Sequence, residues 1–149
     1  MRYSVVIVFL FLLASSCNKQ EENEAFAPVS PIPQIELLKV EPLELSQFED
    51  LVFHIRYSDG NGDIGTADPD DHSLEITDKR ANVLHTYHVP PQYVVKNVAI
   101  TGVMQISLEN VVLIDQDNDQ EQAVFSIRLR DNKSNWSQRV NSPTITINK

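Results

Sequence analysis

The sequence predicts an all-β chain, built as a single antiparallel β-sandwich of about seven strands. Three observations predict it. Apolar and polar residues alternate along most of the chain, the period of strands that bury one face. Clusters of Gly, Pro, Asn and Asp separate the alternating runs, and these are turn-forming residues. No stretch sustains the 3.6-residue apolar period that a helix needs.

Ile35, Leu37 and Val40 set a first strand over 34–41. Leu51, Phe53, Ile55 and Tyr57 alternate with Val52, His54 and Arg56 in a second, over 50–57. Leu74 and Ile76 mark a third. Val83, His85, Tyr87 and Val89 mark a fourth, stopped by Pro90 and Pro91, which donate nothing to a ladder. Met104, Ile106 and Leu108 mark a fifth, open to extension through Val111 to Leu113. Ala123, Phe125, Ile127 and Leu129 alternate with Val124, Ser126, Arg128 and Arg130, and Ile145 and Ile147 close the series. Residues 90–103 fit a strand, a loop or a short helix.

Ahead of the strands the chain reads MRYSVVIVFLFLLASSC. Arg2 gives a positive start, Val5 to Leu13 are continuously apolar, and small residues follow. This is the layout of a secretory signal peptide. The apolar run is too short for a membrane span of ~20 residues. Cys17 is the only cysteine, so no intramolecular disulfide can form, and stability in an export compartment must come from the core or from bound ions. The small residues before that lone thiol resemble the lipobox of bacterial lipoproteins. The resemblance implies acylation, with palmitate among the chains, and cleavage before Cys17. The expected organisation is a lipoprotein signal peptide at 1–16, a lipidated Cys17 with a flexible, Pro-rich tether over 17–33, and a domain over 34–149. Glu21, Glu22 and Glu24 behind the cysteine resemble a surface-export signal. The implied location is the bacterial outer membrane, lipid-anchored, with the surface face open.

The whole chain has 12 basic and 21 acidic side chains, a formal charge of −9. Such a balance argues against nucleic acid, whose phosphates require Lys and Arg, and suits cation binding or plain solubility. About 115 residues past the tether suffice for one core.

The stretch SDGNGDIGTADPDD over 58–71 holds five Asp, one Asn and three Gly. Counted from Asp59 as position 1, Asn61, Asp63 and Asp70 fall at positions 3, 5 and 12 of an EF-hand-type loop. Short oxygen side chains two residues apart can fold around one ion. Asp68 adds a further carboxylate. Ile64 stands where that motif needs Gly, so it is placed to plug the end of the core, and a strand rather than a helix enters the loop. The expected metal ligands are Asp59, Asn61, Asp63, Asp68 and Asp70, with calcium as the ion. A plain solvated turn remains open, because Asp-Gly and Asn-Gly are leading turn formers. In a Greek-key sandwich the loop after the second strand and the loop before the last share one end. Asp131 and Asn132, with Asn135 beside them, are therefore candidates to complete the shell. The second acidic run, with Asp115, Asp117 and Asp119, falls at the opposite end and reads as a turn.

FSIRLRDNKSNWSQRVNSPTITI over 125–147 resembles the last hairpin of bacterial immunoglobulin-like and fibronectin-like domains. FHIRYSDGNGDIG over 53–65 resembles a motif of small envelope lipoproteins that carry such sandwiches. Neither resemblance implies an activity. There is no Ser nucleophile elbow, phosphate loop or paired His cluster, and the chain is read as a non-enzyme. The functional expectation is a lipid-anchored, immunoglobulin-like binding or scaffolding domain of the cell envelope, meeting the membrane through its anchor and an envelope protein or glycan through its surface. A carbohydrate-binding accessory lipoprotein of an uptake system, stacking sugars on Trp136, Tyr87 or Tyr93, stays open. So does a small hydrolase, for which no catalytic residue can be named.

Overall fold

The computed structural model describes residues 29–92, 95 and 97–149. The expected signal peptide, Cys17, most of the tether, and Tyr93 lie outside the described residues. The described residues form ten strands and no helix. These are β1 (Gln34–Glu41), β2 (Glu44–Ser46), β3 (Leu51–Asp59), β4 (His72–Asp78) and β5 (Val83–His88). Then follow β6 (Ile100–Leu108), β7 (Gln120–Ala123), β8 (Phe125–Leu129), β9 (Val140–Asn141) and β10 (Ile145–Asn148). All seven alternating runs form strands. Within the stretch left open at 90–103, the described residues before Ile100 belong to no strand or helix, β6 begins at Ile100, and the extension past Leu108 is loop.

The strands make three sheets, ordered β1-β3-β6, β5-β4-β8-β9 and β2-β10-β7, packed together as a β-sandwich. Pairing β1 and β6 on β3 against β4 on β8 is the pairing of an immunoglobulin-type Greek key. Alternation does the packing. Leu51, Phe53 and Ile55 of β3 and Phe125, Ile127 and Leu129 of β8 have no exposed surface. Phe53 and Phe125 meet edge to face, centroids 5.7 Å apart at 75°, a favoured aromatic geometry.

Ten strands, rather than about seven, arise from short pairings and a change of sheet. β2 is three residues long and pairs parallel with β10. The run 120–129 splits at Val124: β7 pairs with β10, while β8 pairs with β4 and β9. The facing run splits at Pro143, which cannot donate a backbone hydrogen bond. Ser142 bridges the break. Its amide donates to the Phe125 carbonyl, and the Phe125 amide donates to the Ser142 hydroxyl (2.8 and 2.9 Å). The two strands thus leave one sheet and enter the next together, a way sandwiches turn corners.

One end of the sandwich is organised by Glu121. Its carboxylate accepts hydrogen bonds from the amides of Ile114 (3.0 Å) and Asp115 (2.7 Å), and from the Arg80 guanidinium (2.6 Å). Arg80 also pairs with the buried Asp78. The run containing Asp115, Asp117 and Asp119 is therefore a turn tied to Glu121, with those three carboxylates exposed. Burial pushes the Glu121 carboxyl up, but its amide, guanidinium and Asn118 donors override this and hold it down at about 2.

A depressed native pKa stabilises the fold at pH above the unfolded value, and that stability is lost as pH falls through the native one. The acid limb of the protein's stability curve should therefore contain a Glu121 component between about pH 4.5 and 2. Glu121→Gln should remove that component and cost about 1–3 kcal/mol at neutral pH, measured by chemical denaturation.

Candidate metal centre

The candidate centre forms where two core strands run out of apolar residues. On β3 the inward positions are Leu51, Phe53, Ile55, Tyr57 and then Asp59. On β8 they are Phe125, Ile127 and Leu129, and the same parity carries on to Asp131. Period-two geometry thus aims one carboxylate from each sheet at the end of the shared core. Asp59 has no exposed surface and Asp131 only 2%. Asp63 joins them, and carboxylate oxygens of Asp59, Asp63 and Asp131 lie within 4.8 Å of one another.

The backbone around them is fixed by short hydrogen bonds. The Asp63 amide donates to Asp59 Oδ2 (2.9 Å). The Asn132 amide donates to the Asp63 carbonyl (3.1 Å). Asp131 accepts from the amides of Lys133 and Asn135 and from the Asn135 side chain (2.9, 2.8 and 2.8 Å). Ile64 pairs with Asp131 in an isolated bridge and is fully buried. It plugs the core and joins the loop after β3 to the loop after β8.

The glycines of the loop are required by what passes over them. A Cβ on Gly60 would collide with the carbonyl of Val29, and the Gly60 amide donates to the Ser30 carbonyl (2.7 Å). Gly65 sits at φ +83°, a conformation that favours glycine, with the Pro90 carbonyl against it. The loop therefore gathers the segments entering β1 and leaving β5 at the same end as the carboxylates.

Three side-chain oxygens aimed into this end are buried and have no hydrogen-bond donor: Asp59 Oδ1, Asn61 Oδ1 and Asp63 Oδ1. Such an oxygen costs about 1–3 kcal/mol when neutral and more when charged. Burial pushes the Asp59 carboxyl up. The Asp63 amide works against this, and the neighbouring Asp63 and Asp131 charges add to the upward push. The nearest cation is Lys133, whose Nζ lies 3.4 Å from Asp63 Oδ2 on a mostly exposed side chain. It is too exposed to neutralise Asp59. Hard oxygens only, three of them carboxylate, with lone pairs unclaimed, fit a hard divalent cation.

Of the expected ligands, the structure brings together Asp59 and Asp63 with Asp131, a candidate to complete the shell, and the Asn61 oxygen is buried without a donor in the same loop. It does not bring in Asp68 or Asp70. Both are exposed, and the Asp70 amide donates to Asp68 Oδ1 (3.0 Å) in a turn of their own. The EF-hand spacing fails because the chain does not wrap past Asp63. Ile64 dives into the core, and the Thr66 amide donates to the Val89 carbonyl (3.0 Å), which carries the rest of the loop away. The Asn132 side-chain amide nitrogen donates to the Gly65 carbonyl (2.9 Å) and clamps the loop. The signal that separates Asp59 and Asp131 from Asp68 and Asp70 is strand parity, not loop spacing.

The aromatic candidates lie elsewhere. The Arg128 guanidinium covers Trp136 at 4.0 Å from the ring centre, with Arg130 at 5.6 Å. Arg128 is in turn paired with Glu75 (2.5 Å). Tyr87 packs partly buried against the core. Trp136 and Tyr87 are therefore engaged in packing.

No protein-family model, curated protein or solved structure matches the chain.

A raised native carboxyl pKa makes the native state bind protons more tightly than the unfolded chain, so stability falls as pH rises through it. The metal-free protein should thus be destabilised at neutral pH by Asp59. Asp59→Asn should raise the metal-free melting temperature at pH 7 and leave it nearly unchanged at pH 4, checked by scanning calorimetry in chelator.

Proposed function

We propose that the chain is a lipid-anchored binding or scaffolding domain of the cell envelope whose loop end is held by one calcium ion. The observation that carries the calcium reading is the buried, donor-free Oδ1 of Asp59, facing Asp63 and Asp131. The ligands would be Asp59, Asp63 and Asp131, with the oxygen of Asn61. Calcium suits them better than magnesium. It accepts irregular oxygen shells of six to eight ligands at about 2.3–2.6 Å, whereas magnesium demands a near-octahedral one. Solvent would supply the remaining ligands through the exposed rim beside Lys133.

The role of the ion in this reading is structural. It would tie the loop after β3 to the loop after β8, and through the Ser30–Gly60 hydrogen bond it would brace the point where the tether enters the domain. In a chain with one cysteine, such a staple does what a disulfide does in other exported domains. The signal-like start and Cys17 support the anchoring half of the reading.

Binding to the native state alone stabilises it by mass action. Millimolar calcium should raise the melting temperature by several degrees over the chelated protein, and magnesium should do so less. Asp131→Asn and Asp59→Asn should each abolish the calcium increment. A calcium increment of zero in the parent protein sinks the metal half. The anchoring half is tested separately: radiolabelled palmitate should be incorporated into the parent chain and not into Cys17→Ser.

A further inference from the structure

The free edges of the three sheets are guarded unequally. An exposed edge strand is a template for pairing, and proteins blunt it with charge, proline, bulges or brevity. The β1 edge carries Glu36, Lys39 and Glu41 and is bulged between Leu37 and Lys39. β5 runs straight into Pro90 and Pro91. β2, β7 and β9 are three, four and two residues long. β6 has none of these devices. It is nine residues long, ITGVMQISL, with no charge and no proline. It pairs with β3 in unbroken register from Leu51–Leu108 to Asp59–Ile100, which keeps it unbulged. Its other edge has no partner strand among the described residues.

We propose that β6 is an interaction edge and that its partner is β6 of a second copy of this chain, paired antiparallel about a two-fold axis at Met104. Three features favour a copy over an unrelated strand. First, this register sets Thr101 opposite Ser107, Ile100 opposite Leu108 and Val103 opposite Gln105. Outward residues meet outward ones, inward residues meet inward ones, and Thr–Ser pairs favour cross-strand contact. Second, the chain is acidic, with a formal charge of −9, and β6 is the long edge on which two copies meet without like charges opposed. The nearest acid, Glu109, falls opposite Ala99. Third, the two ends of β6 are complementary. Val98, just before the strand, is about half exposed. At its other end, Ser107 and Leu108 of the strand and Glu109 just after it line, with His85, Thr86 and Tyr87 of β5, an open groove of about 410 Å³. Antiparallel pairing brings the Val98 end of each copy to the groove end of the other, so the fit is made twice. The product is one six-stranded sheet, β1-β3-β6 continued through its copy. An isologous interface of this kind closes at two chains and does not propagate.

The test is disulfide trapping in the full chain, with two tags expressed together. Val103→Cys in one tagged copy and Gln105→Cys in the other sit at facing positions on the outward, solvent side. They should yield a mixed-tag disulfide dimer on mild oxidation, several-fold above the parent pair, which reports the background from Cys17. Thr101→Cys in both copies places the thiols about 20 Å apart along the strands and should stay at background. Trapping of Val103→Cys with Gln105→Cys at background level overturns the proposal. So does equal trapping in the Thr101→Cys pair, or a dominant adduct with another protein at Val103→Cys. The outcome is independent of calcium, because neither cysteine touches the carboxylate cluster.

Discussion

A carboxylate with no exposed surface sits at the end of β3, and the surrounding architecture is arranged about it. Asp59 has one oxygen held by the Asp63 amide and one with no donor. Two further carboxylates stand beside it. Three carboxylates crowded into a largely buried corner cost the fold energy, through lost hydration and mutual repulsion. A stable sandwich could have closed this corner with another leucine. It closes instead with Ile64 on one side and three clustered carboxylates on the other. The hydrogen bonding around the cluster is dense: Asn132 clamps Gly65, Asn135 fixes Asp131, and Gly60 lets the entering chain pass at contact distance. The proposed cation site would use that hydrogen-bonded backbone.

The corner depends on events at the other end of the molecule. The exchange of sheets at Val124 and Pro143 lets β8 reach across to β4 while β7 stays with β10. Without that exchange β8 would not point Phe125, Ile127, Leu129 and finally Asp131 toward the inward face of β3. Ser142 makes the exchange cheap by satisfying Phe125 where Pro143 cannot. Glu121 holds the same end shut through its guanidinium and amide partners. The two ends thus use charge differently. One neutralises its carboxylates internally with Arg80, and the other leaves oxygens of Asp59 and Asp63 without donors.

Much of this was legible in the sequence, and the reason is periodicity. The seven alternating runs are long enough for a two-residue period to show, and each became strand. β2 and β9 were not legible, because two or three residues show no period and their pairing is decided by neighbours. The break at Val124 was hidden inside an uninterrupted alternation, since a change of sheet need not change parity. Asp59, Asn61 and Asp63 were visible as closely spaced oxygens, and topology placed Asp131 nearby. Asp68 and Asp70 were proposed on a spacing borrowed from a helix-flanked loop. Here a strand enters, and Ile64 anchors the chain before the loop can wrap. Parity along β3 and β8 would have discriminated among them, for it marks Asp59 and Asp131 as inward at the ends of two apolar series.

The same logic of satisfied and unsatisfied groups links the corner to the open edge of β6. In both places hydrogen-bonding or ligating atoms have no partner among the described residues. The corner makes the sharper demand, since its unpartnered oxygens are buried. It is examined most directly by anomalous diffraction from crystals grown with calcium. The account predicts one calcium peak within about 2.3–2.6 Å of Asp59 Oδ1 and of oxygens from Asp63 and Asp131. A map with no peak there, and Asp59 protonated and hydrogen-bonded to a neighbouring carboxylate, would contradict it.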